Sequence, residues 1–558
     1  MKHLGQLEVI SQPHPITIDK NDLRVGVNDV GDHFIRLNDE GEIDYIIDKV
    51  CDHAGGRLIL RGDQAVCPMH GWSLDTETLN YKGAHVKKQP IAYGESEGKI
   101  TFSGAKHHLE NPFRPSGKGE VSVRWLNHAT VYIECNGVSI ITDPWLFGPA
   151  FMTGWWLANP SPSDAIDLLK KADYIYVSHN HPDHLHAETL AVLPKDATFL
   201  APAFTTRSVE KYLRSLGFRT IIPLEFNNLF EPVPGLQISM LKSGDFRDDS
   251  GMYLCANGQQ ILLTVDANYL NSHVLPVGLD LLMTSFAGGA SGFPLCFDNY
   301  SEGEKKKIVR RNSGSSFMRA SQYIEITRPA NYVPYAGMFT EAAPRDDYVR
   351  ANNRKNKFDA YQAVCVRTGT RLVQARADET LVFGDEGLKI SKQPATYLRR
   401  EDPAFYIKAL REEYPLDFSK LTTYFEACSF RGDQVLQIIP ADDDFEPLGN
   451  EIYFADFKNR DFGVIDRAEI ITSRPGCRVM QMKVRPEVLM CVVENKLPWE
   501  DISIGFQMRV ERTPNEYESD FWYYFTNVYI GEKDFRYSSF CGACTVVEQN
   551  PIWAAEIV

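Results

Sequence analysis

Hydrophobic and polar positions alternate in short runs over the first 115 residues, as in HFIRL (33–37) and IDYIID (43–48). A period of two with turn residues between the runs predicts a small all-β domain over 1–115. The segment KHHLENPFRPSGKGE, with two Pro and two Gly, has the composition of a linker. From Val121 the pattern changes. VSVRWL and VYIE read as strands, Asn136-Gly137 as a hairpin turn, and VSIIT as the returning strand. Ser163 is predicted to cap a helix through Lys171. YIYVS (174–178) reads as a buried strand, followed by a helix, the strand ATFLAP and a helix over 206–216. MYLCA and ILLTVD pair across Asn257-Gly258, and LDLLMTSF runs into the glycine-rich FAGGASGFP. Residues 119–370 are therefore expected to form an α/β domain with mixed strands. Beyond 370, PAFYIKALREEY predicts a helix and ISIGFQMRV a strand, so 371–558 is expected to be an α+β region of unknown role. The chain reads as a multidomain α+β protein. It contains no fixed-period repeat, which argues against solenoids and propellers.

Composition narrows the function classes. The 558 residues are 43% hydrophobic and 24% charged, ordinary for globular domains, and the net charge of −15 disfavours nucleic acid and anionic membrane as partners. The uncharged stretch Pro144–Ser163 is interrupted by Pro and Gly and reads as loop, not as a membrane helix. The first ten residues show no export signal, and the 11 Cys suggest no disulfide framework. A cytoplasmic location with metal-bound or buried thiols is expected. The basic run Lys305 to Arg311 reads as a solvated helix face.

Two constellations carry chemistry. In the first, Cys51-x-His53 and Cys67-x-x-His70 each offer one thiolate and one imidazole. Zinc accepts two Cys and two His, but zinc fingers place the Cys pair first and the His pair second. One of each per loop suits a Rieske [2Fe–2S] centre, with both Cys on one iron and both His on the other. Structural zinc is the alternative. CDHAGGRL and CPMHGWSLD resemble the Rieske domains of oxygenases. Cys541 and Cys544 lack the further Cys of a ferredoxin loop and read as a buried or redox-exchangeable pair.

In the second, strand YIYVS leads into His179-Asn180-His181-Pro182-Asp183-His184. Three imidazoles and a carboxylate in one strand-end loop can hold two metals side by side, and core packing does not require them. With WLNHAT, TDPW and the TVD that ends at Asp266, this resembles the metallo-β-lactamase fold, which implies a central αββα domain and a metal-bridging role for Asp266. Dinuclear hydrolases of that fold use another His before the bridging Asp and a last His near the domain's end. No His lies between His186 and His273 or after His273. Asp245 stands where the earlier His would fall. With His179 and His181 it would form the two-His, one-carboxylate set that binds non-haem Fe(II). A solvated loop acid is the alternative for Asp245. His128 reads either as a hydrogen-bonding group near the metals or as a satisfied core histidine, in neither case a ligand, and His273 is expected to lie on a surface loop.

A Rieske cluster moves single electrons, for which a hydrolytic zinc pair has no use, so the two constellations together imply redox chemistry. DPWLFGPAFMTGWWL (143–157), SHNHPDHL (178–185), FAGGASGFP (286–294), IGFQMRV and CTVVEQN resemble the CMP-N-acetylneuraminate hydroxylase family. The resemblance implies a Rieske-dependent non-haem iron monooxygenase that uses O2 and hydroxylates an unactivated C–H. The expected substrate is a small molecule such as a nucleotide sugar, with the N-acetyl group of CMP-N-acetylneuraminate as the hydroxylated part. Electrons would come from a reductase through a cytochrome or ferredoxin. It implies Cys51, His53, Cys67 and His70 as cluster ligands. His179, His181, Asp183, His184 and Asp266 would be the catalytic residues, holding one or two irons. The aromatic cluster of Phe147, Phe151, Trp155 and Trp156 reads as core, with closure over substrate together with the glycine-rich stretch as the alternative, and a homo-oligomer is compatible with the reading. The alternative function is a metal-dependent hydrolase with a redox-sensing Rieske domain.

Overall fold

The computed structural model describes residues 2–52, 58–66, 72–82, 86–204, 206–244 and 248–528. At its centre two eight-stranded sheets pack face to face. One runs in space through Lys2–Gln6, Asn228–Val233, Leu236–Lys242, Ser250–Ala256, Gln259–Leu263, Leu281–Ser285, Asn331–Tyr335 and Arg371–Leu372. The other runs through Thr220–Leu224, Thr198–Pro202, Tyr174–Tyr176, Val138–Thr142, Thr130–Cys135, Val121–Asn127, Glu379–Gly384 and Gly387–Lys392. Val131, Ile133 and Ile140 of one sheet meet Leu254, Ile261 and Leu281 of the other in a shared core. Helices Ala165–Lys171 and Ser208–Ser215 cover one outer face, and Glu302–Thr327 and Gln362–Thr368 the other, giving the αββα order. Strands such as Ser250–Ala256, buried on both sides, are apolar almost throughout because neither face meets water.

Both asparagine-glycine hairpins form as the sequence predicts, with Asn136 and Gly137 at φ +53° and +75° and Asn257 and Gly258 at +47° and +77°. The two turns also bond each other, Asn136 Nδ2 donating to Asn257 Oδ1 at 2.8 Å. Two local expectations are corrected. Asp164, not Ser163, stands at the start of helix Ala165–Lys171, because the Ser163 hydroxyl and backbone N–H both engage Thr396. The run ISIGFQMRV is not one strand. Glu500–Ile504 is a helix that ends at Gly505 and Phe506, the latter left-handed at φ +58°, and the strand starts at Met508. Alternation survived the turn, so the pattern concealed the break.

The N-terminal all-β lobe contains three three-stranded sheets around Phe34, Tyr45, Ile47 and Leu74. It joins the sandwich through a ribbon in which Glu8–Asp19 and Lys99–Glu110 pair residue for residue. Strand Lys2–Gln6 lies beyond that ribbon and adds to the edge of the sandwich, Gln6 facing Asn228. The sandwich therefore takes strands from outside 119–370 in both directions: Lys2–Gln6 before it, and Glu379–Gly384 with Gly387–Lys392 after it.

The C-terminal region is a five-stranded sheet, ordered Asp461–Asp466, Glu451–Asp456, Gln434–Pro440, Arg478–Val484, Met508–Thr513, with helices packed on it. Its core continues without a break into Trp145, Phe151 and Trp155 of the long uncharged stretch. Trp155 stacks on Phe339 with ring centroids 3.5 Å apart. The aromatic stretch is thus interior wall, not a cover open to solvent. Along Lys305 to Arg311 the basic side chains face solvent except Lys305. Among the described residues no helix is long and apolar enough to cross a membrane.

Candidate metal centre

Strand Tyr174–Tyr176 is parallel to both neighbours, so its carboxyl end opens at the edge of the sheet where the adjacent strand Val138–Thr142 also ends. Asp143 follows that neighbour and is fully buried. Its carboxylate accepts hydrogen bonds from the Ser178 backbone N–H at 2.7 Å and the Ser178 hydroxyl at 2.8 Å, and lies 3.1 Å from His184 Nδ1. This fixes the ring so that Nε2 turns to the other side. There it faces Asp183 Oδ2 at 3.3 Å and Asp266 Oδ2 at 3.4 Å. A left-handed Val265, φ +51°, turns the chain just before Asp266.

His179 Nε2 and His181 Nδ1 are 2.9 Å apart. The far nitrogen of His179 lies 2.9 Å from the Ser178 hydroxyl and 3.5 Å from Asp249 Oδ1. His128, at the turn between two strands of the same sheet, brings Nε2 to 3.1 Å from Asp183 Oδ2. The structure thus gathers His179, His181, Asp183, His184 and Asp266 into one pocket and adds His128, Asp143 and Asp249. Among the described residues two groups have their donors within 4.8 Å of one another: His128 with Asp183 and His184, and His179 with His184 and Asp266.

Carboxylates and imidazoles perturb one another strongly in this pocket. Burial opposes ionisation of Asp183, yet His184 and His128 hold its carboxyl well below the usual range. Burial likewise opposes protonation of His184, but Asp183, Asp143 and Asp266 outweigh it and keep the imidazole well above its ordinary value. Asp183 Oδ1 is buried with no hydrogen-bond partner among the described residues. Buried carboxylates converging on imidazole nitrogens, with an orphaned oxygen between them, are the donor set of a divalent metal site, and iron or zinc fits it. Around the donors the wall is apolar. The Phe151 ring is 6.1 Å from His181, and Trp145 and Phe339 are 5.2 and 6.3 Å from His128, centroid to centroid.

Of the remaining expected residues, Cys51 is buried in the core of the N-terminal lobe. His53, Cys67, His70, Asp245, Cys541 and Cys544 lie outside the described residues. Among the described residues of the same loop, Asp249, four residues beyond Asp245, brings a carboxylate to His179. His273 is half-buried between the rings of Tyr269 and Tyr323, not on an open loop. His186 leaves the centre altogether. It caps helix Ala187–Leu190 through the Thr189 N–H and reaches the Pro149 carbonyl at 3.1 Å. Asp143 had a signal in the sequence, an acid placed directly after an apolar strand. Asp249 had none, since three acids share that loop.

The beta-lactamase superfamily domain family matches residues 122–231. Cytidine monophosphate-N-acetylneuraminic acid hydroxylase of Danio rerio is 30% identical over 597 residues, covering 95% of this chain and 96% of its own. The protein of that name from Asterias rubens is 30% identical, covering 85% and 77%. That from Mus musculus is 29% identical, covering 85% and 88%. With such identity along nearly the full length of both chains, this chain belongs to the cytidine monophosphate-N-acetylneuraminic acid hydroxylase family.

Proposed function

We propose that the chain is an iron-dependent monooxygenase that hydroxylates an unactivated C–H of a small acid, the N-acetyl group of CMP-N-acetylneuraminate, with electrons delivered through a Rieske cluster in residues 1–115. The observation that carries this reading is the cluster of His179, His181, Asp183, His184 and Asp266, in a chain that also contains the Cys51-x-His53 and Cys67-x-x-His70 pairs. Iron held by the first set would supply dioxygen activation, and a cluster held by the second would supply single electrons.

The protein's own part is positioning and exclusion. Asp143 orients His184, and Ser178 with Asp249 orients His179, so that each imidazole presents one defined nitrogen. Phe151, Trp145 and Phe339 keep one side of the centre dry, which protects a reactive oxidant from water. The cluster reading also requires an electron-donor protein, and the reading as a whole places the enzyme in the cytoplasm.

Incubation with labelled dioxygen, a reductase system and CMP-N-acetylneuraminate, followed by mass spectrometry, tests the proposal. Label in the acetyl group is the expected result. Dioxygen uptake with another metabolite and none with this one discards the substrate. Tight zinc with hydrolytic turnover discards the oxygenase.

A further inference from the structure

His128 stands where the sequence lacks a ligand. The metallo-β-lactamase pattern needs a last His beside the Asp183–His184 pair, and no His follows His273 to provide one. We infer that His128 is a metal ligand, completing with Asp183 and His184 a second metal position beside that of His179 and His181, so that the centre is dinuclear with Asp266 between the ions.

The distances fit shared coordination. Two donors each ~2.1 Å from one ion and at right angles stand about 3 Å apart. Asp183 Oδ2 lies 3.1 Å from His128 Nε2 and 3.3 Å from His184 Nε2. His184 has one nitrogen committed to Asp143, so it can serve only one of the two donor groups to which it belongs. Assigning it to Asp183 and His128 leaves His179, His181 and Asp266 for the other ion.

The backbone around His128 supports the same reading. Its φ of +37° is a left-handed conformation that a histidine adopts at a cost. The turn is pinned on three sides. Trp125 Nε1 and the Ala336 N–H donate to the His128 carbonyl at 2.9 and 3.0 Å, and the His128 N–H donates to Asn127 Oδ1 at 2.9 Å. The side chain so placed is 1% exposed and points at a metal-site carboxylate. This inference rests on the metal reading of the centre, not on the identity of the substrate.

Metal counting and spectroscopy on the full chain test it. H128G accepts the left-handed backbone and has no donor; H128C offers a thiolate in place of the imidazole. In protein enriched with 57Fe, H128G is expected to contain one iron fewer than wild type. Mössbauer spectra should show the remaining iron of that centre no longer exchange-coupled, with the reduced cluster's paramagnetic signal unchanged. Loaded with Co2+, H128C should show a thiolate-to-cobalt absorption band absent from wild type. Wild-type iron content and coupling retained in H128G, or H128C without the band, overturns the assignment. So does a wild-type centre holding a single ion. A wild-type centre holding no metal overturns the metal reading as well, whereas failure to hydroxylate the sugar nucleotide leaves His128 as assigned.

Discussion

Gly505 lies against the carbonyl of Phe151 so closely that a Cβ there would stand 2.7 Å from the oxygen. Phe151, Met152 and Thr153 are three consecutive left-handed residues, at φ +51°, +48° and +73°, and Arg345 Nη2 holds Thr153 Oγ1 at 2.8 Å. The C-terminal sheet region thereby braces the loop whose Phe151 ring faces His181.

Gly505→Ala should push that loop off its seat. Overpacking of this kind costs about 1–3 kcal/mol. Urea unfolding should show the loss, and metal affinity at a site 6.1 Å from the Phe151 ring should fall with it. Unchanged unfolding would mean that the two segments separate freely.

Asp143→Asn keeps the size of the side chain but removes the charge that orients His184 Nδ1. Loss of such an outer partner typically costs 10–100-fold in metal affinity or activity. Competitive chelation should measure a drop of that order, with the secondary structure by circular dichroism intact.

Arg485, 1% exposed, pairs with the equally buried Asp346 at 2.8 Å. Asp346→Ala leaves a buried guanidinium without its counter-charge, which typically costs about 3–5 kcal/mol. Asp443 and Gln507 also touch Arg485 and keep the figure toward the lower end. Thermal and urea unfolding should both record the loss, and replacing Arg485 by Met in the same variant should recover part of it.

Burial pushes His186 down to about 4. A histidine whose folded value is depressed binds fewer protons folded than unfolded. Its contribution is complete above the ordinary value near 6.5 and is lost as pH falls toward 4. A gap of about 2.5 units corresponds to about 3 kcal/mol. Metal-free wild type should therefore lose about that much more stability than His186→Asn between pH 7 and 4. Parallel pH profiles would show that His186 does not titrate with unfolding.

The sequence was most informative where local rules act alone. Asn136-Gly137 and Asn257-Gly258 dictate their turns through backbone conformation, and the apolar run YIYVS ahead of HNHPDH marks a buried strand whose end carries the polar loop. It was less specific where distant segments meet. The sequence places His128 near the metal loop, but His128 and Asp183 are 55 residues apart, and nothing local to either shows that the one approaches the carboxylate of the other. Asp249 was hidden for another reason. Several acids share its loop, and Asp249 is brought to His179 by the register of strand Ser250–Ala256 against its neighbours.

The pairing of Lys2–Gln6 with Asn228–Val233 bears on how this protein can be divided. A cut in the linker near residue 118 would release the sandwich and C-terminal sheet together, but it would also strip the outermost strand from the sandwich. The backbone of Asn228–Val233 would then be left as an open edge, with Leu229 and Phe230, now buried, at the margin. Open apolar edges recruit other chains, so the shortened protein should self-associate, and adding back a peptide of residues 2–7 should suppress this. The lobe proposed to carry electrons and the body that holds the metal pocket are in this sense knotted by one short strand, and exchange of the lobe between relatives must carry that strand with it.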